Sequence, residues 1–211
     1  MILIAVPTFE NITPDTFKAI WDMERPAGTD FEFVRGYDCA TARNNIVQRA
    51  IDGGYTHVLM VDNDVTPPRD ALTHLLEHDV DVVLGWYAHR NADNEFNGNT
   101  NICRLYQPNG EAYFHYPMES EYTFAEMAEM AERGEYLIPV HGGGMGCALI
   151  RVSVIERLQY PWYDWVNYND ANRGMLSEDL FFCENCKFHH VPVYADTRVG
   201  CGHMFRKVVR P

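Results

Sequence analysis

The sequence has little positive charge: 17 lysines and arginines stand against 30 aspartates and glutamates, for a formal net charge of −13 over 211 residues. A broad, non-specific grip on nucleic acid needs a basic surface, so that class of function is disfavoured. A local basic groove, or a metal-neutralised site for an anionic ligand, is not excluded. Long apolar runs are also missing. No stretch reaches the roughly 18 apolar residues of a transmembrane helix, and none is expected. The N-terminus, MILIAVPTFEN, is apolar but has no basic n-region and no small-residue cleavage site, so it reads as a first strand and not as a signal peptide. No repeat, low-complexity tract or linker divides the chain, whose length suits one domain with a sizeable core. The six cysteines (Cys39, Cys103, Cys147, Cys183, Cys186 and Cys201) are scattered, which points to a reducing, cytoplasmic setting.

What is present has a clear order. Ile2–Val6 is a continuous apolar run of the kind found in strands buried on both faces. Pro14 and Asp15 open a helical stretch, Phe31–Val34 is a second strand, and Ile46, Val47, Ala50 and Ile51 fall at helical spacing before Gly53-Gly54. His57–Val61 is a third strand, Leu72, Leu75 and Leu76 mark a third helix, and Val80–Leu84 is a fourth strand. This β-α-β-α-β-α-β order predicts a parallel sheet with helices on both faces. Beyond residue 90 the pattern loosens. A hairpin is expected from Ile102–Tyr106 and Glu111–Tyr116, and helices at Thr123–Arg133, Val154–Leu158 and Asp179–Phe188. Ala148–Ile150 is apolar, and a late strand is expected at Val191–Ala195. The stretch from Glu111 to Glu135, with seven glutamates and one arginine, reads as a solvated face.

Five segments can carry chemistry. Asp62-Asn63-Asp64 leaves the third strand at its carboxyl end, where open α/β sheets bind ligands. Two carboxylates at that spacing can share a hard cation, which in turn can bridge two phosphates. The competing reading is a polar turn. In G-Y-D-C-A-T-A-R-N-N, Arg43 enters a helix near the same sheet edge, where it can meet a phosphate, and Asp38 can accept from a base or ribose. The plain alternative is a helix cap with a surface arginine. In H-G-G-G-M-G, Gly142, Gly143, Gly144 and Gly146 permit close backbone approach; without a following G-K-[ST] it is not a Walker loop. Glu178 and Asp179, behind Ser177, can supply a base for an acceptor hydroxyl, or they can simply favour a helix N-terminus. Finally, His203 in G-C-G-H-M can complete a metal site begun by carboxylates.

In order and spacing, V-P-T-F-E, A-R-N-N, H-V-L-M-V-D-N-D-V, G-G-G-M-G-C-A-L-I-R, S-E-D-L-F-F-C and Y-A-D-T-R-V-G-C-G-H resemble the GT-A glycosyltransferases, in particular family-two-like, short prophage-type members. The resemblance covers nearly the whole chain. It implies an α/β fold with a Rossmann-like, mostly parallel central sheet, flanking helices and a small antiparallel element in the second half. Residues 1–90 would form the nucleotide-binding half and 91–211 the acceptor and catalytic half of a single domain. It also implies roles. Asp64 and His203 would hold Mn²⁺ or Mg²⁺, with Asp62 assisting. Pro7, Thr8, Glu10, Asp38, Arg43, Asp62, Asn63, Gly143 and Gly144 would surround a nucleotide-diphosphate donor, UDP first. Asp179 would be the base of an inverting transfer, supported by Glu178. The acceptor would be a glycan or other cell-surface saccharide, or a hydroxymethylated pyrimidine in phage DNA. The chain is shorter than larger members and has no separate acceptor module.

Several readings compete with these. A related nucleotidyltransferase would show a G-x-G-[ST]-R-like loop where P-T-F-E-N stands, and a non-catalytic glycan-binding module would not need this set of carboxylates. Cys183, Cys186, His189 and His190 have zinc-like spacing on a helix face. Tyr160, Trp162, Tyr163, Trp165 and Tyr168 can stack on an acceptor or pack in the core. Arg206, Lys207 and Arg210 form a basic tail that can close over a diphosphate.

Overall fold

Runs of branched and apolar residues near Ile2, Val58, Val82 and Cys147 are buried along their length, as strands covered on both faces must be. The computed structural model describes residues 1–9, 11–90, 96–105, 121–167 and 175–205. The first half consists of β1 (Ile2–Thr8), α1 (Pro14–Asp22), β2 (Thr29–Arg35), α2 (Cys39–Asp52), β3 (His57–Val61), β4 (Val65–Thr66), α3 (Ala71–Glu77), β5 (Val82–Trp86) and β6 (Ala88–Arg90). The second consists of β7 (Phe96–Cys103), β8 (Glu121–Thr123), α4 (Phe124–Glu132), β9 (Leu137–Val140), β10 (Gly142–Gly143), β11 (Cys147–Arg151), α5 (Val152–Ile155), β12 (Val166–Asn167), β13 (Met175–Leu176), α6 (Glu178–Phe188), β14 (Val193–Gly200) and β15 (Gly202–His203).

Seven strands make the central sheet, in the order β2-β1-β3-β11-β5-β14-β9. β2, β1, β3, β5 and β14 run one way; β11 and β9 run the other. The strand period of two sorts side chains to opposite faces. Leu3, Ala5, Val58, Met60, Val82 and Leu84 pack with Ile46 and Val47 of α2 and Phe182 of α6. Ile4, Val6, Leu59, Val61 and Val83 pack on the other face with Ile20 of α1 and with Leu72 and Leu75 of α3. The expected fold class is therefore the observed one, including the small antiparallel element. That element is the sheet β10-β7-β6, with β8 also paired to β7.

Two details differ from the expectation of a simple parallel sheet. β11 lies antiparallel between β3 and β5, so these two strands of the first half are not neighbours. Its CALI run is buried like its parallel neighbours, and burial carries no directional information. β9 closes the sheet edge, where the sequence reading places no strand. The turn of the expected hairpin lies outside the described residues. No described helix is long and apolar enough to cross a membrane.

Candidate active site

The strands β1, β3 and β5 end at one edge, and the chain segments leaving them line a cleft of about 460 Å³. Pro7, Asp62, Asn63, Asp64 and Tyr87 come from those strand ends, Gly144 from the glycine loop, Asp179 from α6, and His203 from β15.

Backbone pairing places the Asp62–Asp64 turn. Asp62 N–H donates to Gly146 O (3.0 Å), and Val65 N–H donates to Asp62 O (3.1 Å). β4 then pairs with β15 in a register that sets Val65 opposite His203. As a result His203 Nε2 lies 3.7 Å from Asp64 Oδ1. His203 Nδ1 is 2.7 Å from Ala88 O. A carbonyl only accepts, so Nδ1 donates to it, and Nε2 is turned to the side of Asp64.

Arg43 is the buried centre of the site, at 1% exposure. One terminal nitrogen reaches both oxygens of Asp62, at 3.0 and 3.2 Å. Its Nε lies 3.2 Å from Asp179 Oδ1 and 3.6 Å from Glu178 Oε1, and the other terminal nitrogen donates to Met145 O at 3.5 Å. The structure thus sets Arg43 against protein carboxylates, where the sequence reading expects it at the donor. Its guanidinium lies among three carboxylates at ion-pair distance and is not part of the cleft lining, although its Nε makes no hydrogen bond within the protein. The same geometry divides the expected metal set: Asp64 and His203 face each other, while Asp62 is turned to Arg43. Among the described residues no three His, Cys, Asp or Glu side chains converge to hold a cation unaided.

Ser177 caps α6 by accepting from Leu180 N–H, which puts Glu178 and Asp179 in its first turn. Burial pushes the Asp179 carboxyl up to about 7, with Arg43 opposing and Glu178 and Asp62 adding to the rise. Desolvation therefore outweighs the opposing charge of Arg43. Glu178 is also raised, again chiefly by burial.

The glycine loop packs tightly against Tyr87. Tyr87 Oη accepts from Gly146 N–H (3.0 Å), and a Cβ on Gly144 would lie 2.2 Å from that oxygen. Gly143 sits in β10, where a Cβ would come within 2.8 Å of Ile102 Cδ1. The glycines therefore serve close packing of the site walls and not flexibility. The Tyr87 ring also meets the His203 ring edge-on, with centroids 5.0 Å apart.

The remaining expected residues divide. Pro7 and Asn63 line the cleft. Asn63 Nδ2 donates to Asn11 O and Thr8 Oγ1 donates to the same carbonyl, so both brace the loop after β1. Asp38 caps α2 by accepting from Thr41 N–H at 2.7 Å. Glu10 lies outside the described residues, as do Tyr168 and the tail with Arg206, Lys207 and Arg210. Trp162 and Tyr163 are core residues; Tyr163 stacks on Phe182 at 4.7 Å, and Asn44 binds the backbone of both. Tyr160 lines a separate groove with Phe181 and Phe188. Cys183 and Cys186 are buried in the core, and among the described residues no three His, Cys, Asp or Glu side chains converge there to hold a cation.

The sequence reading missed the antiparallel wall: Tyr87, His89, Asn101 and Glu121 all line the cleft. Glu121 lies within the stretch read as a solvated face, yet its side chain is only 9% exposed. No periodicity marks it, because β8 is short and its placement depends on pairing with β7.

Neither a family model nor a curated protein sequence matches the chain. Solved structures do. The chain is similar to A197 from STIV with a TM-score of 0.62 at 14% identity, over 97% of this chain and 86% of that one. It is also similar to S. aureus TarS 1–349, with a TM-score of 0.51 at 11% identity over 96% of this chain and 60% of that one. TarS 1–349 in complex with UDP-GlcNAc matches with a TM-score of 0.52 at 12% identity, over 99% of this chain and 59% of that one. At these identities the likeness is one of fold.

Proposed function

We propose that this protein is a metal-dependent glycosyltransferase. It moves a sugar from a nucleoside-diphosphate donor, UDP-linked first, to an acceptor hydroxyl with inversion. The observation that carries this reading is the cleft at the strand ends. There Asp179 faces the same space as the Asp64–His203 pair, which is where a sheet of this kind binds ligands. The shared fold with a protein crystallised with UDP-GlcNAc supports the donor class.

In this mechanism Asp179 takes the proton of the acceptor hydroxyl as its oxygen bonds to the anomeric carbon. The bond from that carbon to the phosphate oxygen breaks, and its electron pair leaves with the diphosphate. A carboxyl raised to about 7 is well matched to such a proton transfer near neutral pH. Arg43 holds Asp179 and Asp62 in place and does not itself touch the donor. Asp64 and His203 would hold the cation through a carboxylate oxygen and an imidazole nitrogen, donors that suit Mn²⁺ or Mg²⁺. Such a cation would stabilise the charge of the departing diphosphate. An acceptor glycan suits the net charge of −13 better than modified DNA does.

The test is turnover of a labelled UDP-sugar against saccharide acceptors. Activity should vanish on chelation and return with Mn²⁺ or Mg²⁺. It should rise with pH through about 7 as Asp179 ionises, and fall by roughly a hundredfold or more in Asp179→Asn. Undiminished activity after exhaustive chelation, or in Asp179→Asn, would refute the reading.

A further inference from the structure

We propose that His89, oriented by Glu121, is the protein's cationic contact to the diphosphate of the donor. The inference rests on the nucleotide-donor reading above and assigns a contact that Arg43 cannot make.

The cleft is acidic. Asp62, Asp64, Glu121 and Asp179 all line it, and burial withdraws Arg43 from any ligand. Among the described residues of the lining, only His89 and His203 can carry positive charge, and His203 is paired with Asp64. A diphosphate entering here meets carboxylates unless a cation stands in its path, and His89 is placed to be that cation.

The geometry of the pair is that of a carboxylate orienting an imidazole. Glu121 Oε1 lies 2.6 Å from His89 Nδ1, with Glu121 9% and His89 41% exposed. Nδ1 itself is buried, so the exposed part of the ring is the edge that carries Nε2. Of the two, the imidazole is the more exposed to the cleft that both line. The Glu121 carboxylate beside the ring raises its affinity for protons, with burial working against this. With both nitrogens protonated, Nε2–H can donate to a phosphate oxygen as a charge-assisted bond.

Position supports the diphosphate over the rest of the donor. His203 Nδ1 is bonded to the carbonyl of Ala88, the residue next to His89. His89 and the Asp64–His203 pair line the same cleft. A diphosphate has two adjacent charged groups, which suits two neighbouring contacts; a monophosphate or a nucleoside does not.

The test is calorimetric titration of the full-length chain, with Mg²⁺ present, using UDP, ADP, GDP and CDP, their monophosphates and inorganic pyrophosphate. His89→Gln should weaken the best-bound diphosphate by about tenfold or more, the scale of one charge-assisted bond, and change its monophosphate by less than about twofold. His89→Lys should recover most of the loss. Glu121→Gln should lower diphosphate affinity in the same direction by a smaller factor. Should that buried variant fail to fold, the exposed His89 variants decide the question, with melting curves confirming that they fold. The proposal is overturned if His89→Gln leaves diphosphate affinity within about twofold, if monophosphates lose as much, or if the wild type binds no diphosphate. Failure of the transferase reading looks different: diphosphates bind in a His89-dependent way, but no sugar nucleotide is turned over.

Discussion

Arg43 brings one positive charge against three carboxylates, Asp62, Glu178 and Asp179, at a depth where only 1% of the residue is exposed. Removing a buried partner leaves the others uncompensated, typically at about 3–5 kcal/mol, so Arg43→Ala should unfold the site before any donor effect is measured. Arg43→Lys is the informative change. It keeps the charge and loses the planar fork that reaches Asp62 and Asp179 at once. Turnover in Arg43→Lys should fall by about tenfold or more while the Michaelis constant for the donor stays within about twofold, because the arginine positions the base and does not touch the phosphates. A donor constant that rises while turnover holds would return Arg43 to the donor. The position of Arg43 was legible in the sequence, since A-T-A-R-N-N sits in a helix facing the ligand edge. Its burial was not, because the carboxylates that bury it come from β3 and α6, far along the chain.

At the scale of elements, what periodicity and capping encode locally was readable. The run His57–Val61 is a strand as expected, and Thr123 caps α4 with the reciprocal Glu126 bond of a capping box. What depends on pairing was not: the antiparallel insertion of β11, the edge strand β9 and the two-residue strands β4 and β15 that bring Asp64 to His203. The glycine loop shows the same divide. H-G-G-G-M-G announces itself in sequence, but its reason lies in Tyr87, whose oxygen would lie 2.2 Å from a Cβ at Gly144. Gly144→Ala should therefore destabilise the fold by about 1–3 kcal/mol, as overpacking does. Tyr87→Phe removes the obstructing oxygen, so in the double variant the combined loss should fall short of the sum by about 0.5 kcal/mol or more. Denaturant melts of the wild type, both single variants and the double variant measure this, and strictly additive losses would show that the loop yields elsewhere.

For the whole molecule Asp179 has a stability cost that follows from its proton affinity. The folded chain raises Asp179 from 3.8 to about 7, chiefly by burial. Between those values the folded state holds a proton that the unfolded chain has released. Unfolding stability then falls as pH rises, by about 1.4 kcal/mol for each unit of pKa difference traversed, and the full penalty is present above about 7. The net charge of −13 acts in the same direction, since each further negative charge adds to self-repulsion. An asparagine in place of Asp179 has nothing to ionise. Asp179→Asn should thus melt above the wild type at about pH 8, by several degrees at roughly 2–4 °C per kcal/mol for a chain of this size. The gain should shrink at about pH 5, where the wild-type carboxyl is protonated and resembles the amide in charge. Glu156→Gln, an exposed change of the same charge, serves as the control; it should move the melting temperature little at either pH. A gain in Asp179→Asn that is equal at the two pH values would mean that packing and not ionisation sets it. A gain confined to high pH, accompanied by lost turnover, would show that this fold gives up stability to hold a base at its cleft.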